Sequence, residues 1–143
     1  MISDKRESLH TKGAEQKLSA IIGGQVLLID DEAVVREIGS EMLEFMGIPC
    51  ITAENGEEGI RLFKERKDKI VLVILDVELP GLSGDKVFDI LKKINPNIKI
   101  LLISGYARSY LEAKYFKRKL EHFMPKPFQL EQLSKNLKSV MEV

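Results

Sequence analysis

Polar residues of three chemical types stand where the long apolar runs of this chain stop. Asp30 and Asp31 follow VLLI, Asp76 follows IVLVIL, Ser104 follows IKILLI, and Lys126 comes just past HFMP. If those runs are parallel strands, their carboxyl ends lie along one edge of a sheet, where ligands bind at the point of reversed strand order. Three carboxylates, a hydroxyl and an ammonium would then meet in one crevice. Two carboxylates about 4 Å apart repel by roughly 1 kcal/mol in water and nearer 4 kcal/mol at an effective dielectric of 20. Such a cluster needs counter-charge. Lys126 supplies one unit, and a hard oxygen-seeking cation such as Mg²⁺ supplies two while leaving positions for phosphate oxygens. Asp76 ends the most continuously apolar run and is the candidate nucleophile, because carboxylates form acyl phosphates. The protein's part in such chemistry is positioning and charge neutralisation. Ser104 offers a hydrogen bond to the phosphoryl group and Lys126 a positive charge. Pro125 and Pro127 fix the backbone on either side of Lys126, and Lys126–Pro127 is a candidate cis peptide. The plainer alternatives are a helix-capping role for Asp30-Asp31, an ordinary strand-end serine and a solvated lysine.

The elements that must position these residues alternate between strand and helix patterns. Val26–Ile29, Cys50–Ala53, Ile70–Leu75, Ile98–Ile103 and Phe123–Met124 read as strands, the first and third apolar enough to be central. Helices are expected over Glu32–Met46, Glu57–Lys67, Asp85–Ile94, Ala107–Leu120 and Gln129–Val140. Gly47 with Pro49, Asn55-Gly56, Leu79-Pro80-Gly81 and Asn95-Pro96-Asn97 punctuate them. Five such βα units predict an α/β fold: a flavodoxin-like, doubly wound (βα)5 three-layer sandwich with parallel strand order 2-1-3-4-5. Residues 1–24, polar and closed by Gly23-Gly24, read as an N-terminal tail or linker, and residues 25–143 as the folded domain. A short helix over Glu15–Ile22 would put Leu18, Ile21 and Ile22 on one side, able to dock on a neighbour.

With 143 residues, 44% hydrophobic, and 22 basic against 22 acidic side chains, the chain predicts one domain with no charge bias toward nucleic acid or membrane. No run reaches the roughly 20 apolar residues of a membrane helix and no signal peptide is visible, so the expected compartment is cytoplasmic. Cys50, in GIPCITA, reads as a small buried hydrophobe. His10 and His122 have no partner at metal spacing. The basic set Arg108, Lys114, Lys117, Arg118 and Lys119 reads as a solvated face, with protein docking second and nucleic acid third.

Four pieces, IDDE at 29–32, DVELPGLSG at 76–84, ISGYA at 103–107 and PKPF at 125–128, stand in order and at spacings that resemble the receiver domain of two-component response regulators. Among receivers they look most like those fused to hybrid sensor histidine kinases. The resemblance covers residues 25 to about 141. It implies Mg²⁺ (or Mn²⁺) held by Asp30, Asp31, Asp76 and the backbone carbonyl of Glu78. It further implies phosphorylation of Asp76 by a histidine kinase or a histidine phosphotransfer protein. Ser104 and Phe123 would act as switch residues, Lys126 would report the phosphoryl group, and Glu78 and Tyr106 would tune its lifetime. A bulky Tyr106 and an anionic Glu78 predict slow hydrolysis. The implied output face is helix 4, strand 5 and helix 5, also the route to a homodimer. Arg118-Lys119-Leu120 departs from the small residues that usually precede strand 5 in the family. The first alternative is an aspartyl-phosphate phosphatase, although Glu78 stands where its second aspartate belongs. A scaffold that is never phosphorylated and an FMN-binding flavodoxin-like protein are the others; the last lacks its Ser/Thr-rich phosphate loop.

Overall fold

In the computed structural model, residues 18–142 are described. The five apolar runs form one parallel sheet in the order β2-β1-β3-β4-β5. Its strands are β1 (Gln25–Ile29), β2 (Cys50–Ala53), β3 (Ile70–Asp76), β4 (Lys99–Ser104) and β5 (Phe123–Pro125). β1, β3 and β4 lie inside the sheet with almost every residue buried, which is why they are apolar without alternation.

Successive residues still face opposite layers. Leu27, Ile29, Val73, Leu75 and Leu102 join one core with Phe63, Val87 and Leu91. Val26, Leu28, Leu72, Ile74, Leu101 and Ile103 join the other with Leu43, Leu133 and Leu137. The first core is covered by helices α2 (Gly56–Glu65) and α3 (Gly84–Ile94), the second by α1 (Ala33–Phe45) and α5 (Leu130–Met141). α2 begins on Asn55, whose side chain accepts the Glu58 N–H at 2.8 Å and satisfies a first-turn donor.

The fourth helix differs from expectation. α4 covers only Arg108–Leu111, widens into a π turn over Glu112–Phe116, and stops at Lys117, whose φ of 55° is left-handed. Side chains hold the remainder as a loop. Glu112 accepts the Leu120 N–H at 2.7 Å, and Arg108 donates to the Leu120 carbonyl. Phe116 meets Phe88 edge-on at 5.7 Å, while the Arg118 guanidinium lies 5.1 Å from the Phe88 ring. All five residues of the basic set are nevertheless exposed, as expected of a solvated face. Arg118, Lys92, Lys99 and His122 border a cavity of about 580 Å³ at the amino end of β4, opposite the strand ends that carry the aspartates.

Residues 18–22 are helical and packed. Leu18 and Ile22 are buried in the second core, whereas Ile21 is half-exposed instead of sharing their side. The Ser19 hydroxyl donates to the Gly47 carbonyl at 3.0 Å. Residues 15–17 of the expected N-terminal helix, and His10, lie outside the described residues.

Candidate functional site

β1 and β3 are adjacent and end in step, Ile29 beside Leu75, so the next residues, Asp30 and Asp76, emerge side by side. β4 follows with Asp76 beside Ile103, which brings up Ser104. β5 places Pro125 beside Ser104, and the Lys126 N–H donates to the Ser104 carbonyl at 2.8 Å. Asp30, Asp76 and Ser104 are buried with 0%, 1% and 0% of their surface exposed, the only polar residues so enclosed among those described.

The Lys126 ammonium joins the carboxylates. Its Nζ lies 3.0 Å from Asp30 Oδ2, 3.3 Å from Asp76 Oδ2 and 2.9 Å from Glu32 Oε1. The Lys126–Pro127 peptide is cis. Asp30 Oδ1 also accepts the Glu32 N–H at 2.8 Å, and Asp76 Oδ1 the Glu78 N–H at 3.3 Å. Asp31 is exposed at the mouth. Burial weighs against charge on Lys126, but the Glu32 hydrogen bond, Asp76 and Asp30 outweigh it and hold its pKa above the ordinary value. Asp76 is pushed up to about 7, by burial first and then by Asp30. Burial likewise raises Asp30.

Carboxylate oxygens of Asp30, Asp31 and Asp76 lie within 4.8 Å of one another. One ion about 2.0–2.1 Å from each oxygen spans that spacing with small side-chain rotations. The all-oxygen donor set, and a crevice in which burial first and then neighbouring carboxylates raise the Asp76 pKa, fit a hard divalent cation.

The remaining residues named from sequence are placed as follows. The Ser104 hydroxyl donates to the Glu78 carboxylate, 2.6 Å from each oxygen, and accepts the Tyr106 N–H at 2.9 Å. Tyr106 is 54% exposed, and its ring lies against that of Tyr110, with centroids 5.0 Å apart. Phe123 is half-buried beside Leu102 of β4. Two contacts were not foreseen: Glu32 on Lys126, and the Glu78 side chain on Ser104. The Glu32 contact has a sequence signal, since an acid at the helix start right after two strand-end aspartates overhangs the same edge.

A groove of about 320 Å³ opens next to the crevice, between α1 and the cis peptide, lined by Val34, Val35, Ile38, Pro127 and Phe128. Val34 and Ile38 are exposed there, and the apolar strip runs on along α1 to Phe45.

Comparison with known proteins agrees with this geometry. The family profile described as response regulator receiver domain matches residues 26–138. The chain is 32% identical over 117 residues to the sensor kinase CckA of Brucella abortus, covering 82% of this chain and 12% of that kinase. It is 29% identical over 120 residues to the chemotaxis protein CheY of Thermotoga maritima, covering 83% of this chain and 98% of CheY. The crystal structure of the response regulator TrrA from Thermotoga maritima, in complex with Mg²⁺-BeF, superposes with a TM-score of 0.72 at 32% identity, over 82% of this chain and 98% of TrrA. The chain spans much less of other curated relatives, 28% of a cyclic di-GMP phosphodiesterase and 53% of the regulator PhoB. With its strand order, buried aspartates and full-domain match, this chain belongs to the response regulator receiver domain family of two-component signalling.

Proposed function

We propose that Asp76 is the phosphoacceptor of this receiver domain. The observation that supports it most is one buried carboxylate, Asp76, held 3.3 Å from the Lys126 ammonium and beside two further aspartates. In the transfer, an Asp76 carboxylate oxygen forms the new bond to phosphorus as the nitrogen–phosphorus bond of a phosphohistidine breaks. The imidazole leaves with the electron pair and takes up a proton. Asp30, Asp31, Asp76 and the Glu78 backbone carbonyl would hold Mg²⁺, with Mn²⁺ as an alternative, and a bound cation supplies charge neutralisation. Lys126 offsets charge on the same oxygens, and Ser104 with Phe123 reports the new group to the α4–β5–α5 face. Glu78 and Tyr106 limit water attack, giving slow hydrolysis.

The donor is a histidine kinase or a histidine phosphotransfer protein. Its phosphohistidine must reach Asp76, and the apolar groove between α1 and Pro127-Phe128 opens at that mouth. A helix laid along Val34 and Ile38 would bring its histidine alongside. A second copy of the chain, or a protein target, docks on the α4–β5–α5 face; nucleic acid and membrane are not partners. No described helix is long and apolar enough to cross a membrane, and we assign the domain to the cytoplasm. Turnover of outside substrates is not part of this reading. Stoichiometric labelling separates it from a phosphatase, which would release phosphate steadily from small phosphoesters.

The test is intact mass after incubation with Mg²⁺ and a small phosphodonor. One phosphoryl adduct is expected on the wild type and none on Asp76→Ala; an unlabelled wild type overturns the proposal. In a second arm, Val34→Asp with Ile38→Asp should slow transfer from a phosphohistidine protein by about tenfold or more, as expected on losing a buried apolar anchor. Labelling by the small donor should be unchanged.

A further inference from the structure

The side chain of Glu78 is committed to a contact that phosphoacceptance does not use. Ser104 is fully buried, and its one hydroxyl proton lies between two Glu78 carboxylate oxygens at 2.6 Å each. The oxygen also accepts the Tyr106 N–H at 2.9 Å. A serine hydroxyl has a single proton to donate. A phosphoryl group on Asp76 presents acceptor oxygens only, so it and the Glu78 carboxylate compete for the same proton. Hydrogen bonds to a carboxylate are short and strong, which makes Glu78 a serious competitor.

We propose that Glu78 is a positioning residue: its carboxylate holds the Ser104 hydroxyl until a phosphoryl group displaces it. The strength of that hold then sets how tightly the crevice takes a phosphoryl group. This rests on the reading of Asp76 as phosphoacceptor. The geometry permits the exchange, because the Glu78 backbone N–H stays on Asp76 Oδ1 while its half-exposed side chain can turn into solvent. Glu78 therefore does more than screen water. In the resting chain it is an internal anion on the group that reads phosphorylation.

The test uses the full chain with saturating Mg²⁺ and fluoroberyllate as the phosphoryl mimic, titrated by fluorine NMR. Glu78→Met keeps the length of the side chain and removes the acceptor; Glu78→Gln keeps a weaker, neutral acceptor. Glu78→Met should tighten fluoroberyllate binding about tenfold or more, as expected for releasing a hydrogen bond to a charged group, with Glu78→Gln between. In a Ser104→Ala background the same substitution should change affinity less than about twofold. The Tyr106 amide resonance, which reports on Ser104 Oγ, should move in ligand-free Glu78→Met toward its fluoroberyllate-bound position. An equal gain in the Ser104→Ala background would mean simple charge repulsion and overturn the proposal, as would no gain at all. A wild type that binds no fluoroberyllate and takes no phosphoryl label would overturn the phosphoacceptor reading and this inference with it. Normal phosphoryl labelling with unchanged affinities would overturn this inference alone.

Discussion

Asp76 carries a carboxyl group raised from 3.8 to about 7, by burial first, then by Asp30, with Lys126 opposing and Glu78 adding to the rise. A folded-state pKa above the unfolded one favours the fold while the proton is on, and that support fades as pH climbs through the folded value. Metal-free protein should therefore lose stability between about pH 4 and 7, on the order of 3–4 kcal/mol from this group. Thermal melts across that range should show the melting temperature falling, with a much flatter profile in Asp76→Asn. An identical slope in the variant would show that another group is responsible. Saturating Mg²⁺ should flatten the wild-type profile too, since metal and proton compete for the carboxylate. Asp30, Asp76, Ser104 and Lys126 were legible in the sequence because each interrupts or follows an apolar run, and strand ends share an edge. The position of Glu32 at the same edge was legible too, but the particular contacts of Glu32 with Lys126 and of Glu78 with Ser104 were not. They depend on which way loop side chains turn once several strands are side by side, and residue type does not encode that.

At the scale of elements, the DVELPGLSG loop shows how closely a helix must approach the crevice. The N–H of Gly84, first residue of α3, donates to the Val77 carbonyl at 2.9 Å. A Cβ there would lie 2.2 Å from the Asp76 carbonyl oxygen and 2.6 Å from Val77 Cα, both backbone atoms that cannot step aside. Gly81 supplies the turn leading in, at φ +74°. Gly84→Ala should cost about 2 kcal/mol or more by denaturant unfolding and weaken Mg²⁺ binding by displacing Asp76. A variant with unchanged midpoint and affinity would show that the loop has slack. Most boundaries were legible within one or two residues, since apolar period and Gly or Pro punctuation agree there. α4 was not. Its charges and apolar spacing suit a helix to Leu120, but the pull of Phe116 onto Phe88 and the fold-back of Leu120 onto Glu112 end it early. Those are tertiary contacts between segments far apart in sequence or across a loop, and they override local propensity.

On the scale of the whole molecule, we read the cooperative unit as including Leu18 and Ile22, ahead of the stretch matched by the family. Leu18 and Ile22 are buried with Leu43, Met46 and Val140, although the polar run before them reads as a linker. Leu18→Ala should lower unfolding free energy by about 2–5 kcal/mol, the cost of emptying a buried leucine site. A change near zero would mark the segment as an appendage. The cavity at the amino end of β4 has a consequence of its own. Lys92, Lys99, Arg118 and His122 gather there, while Asp30, Asp31 and Asp76 gather at the opposite strand ends. Basic and acidic residues balance at 22 each, yet these two clusters, at opposite ends of the strands, give the described residues a local charge asymmetry. A neutral protein so arranged is turned by a partner's field before the two surfaces touch, so its rate of encounter responds to salt where a count of charges foresees no response.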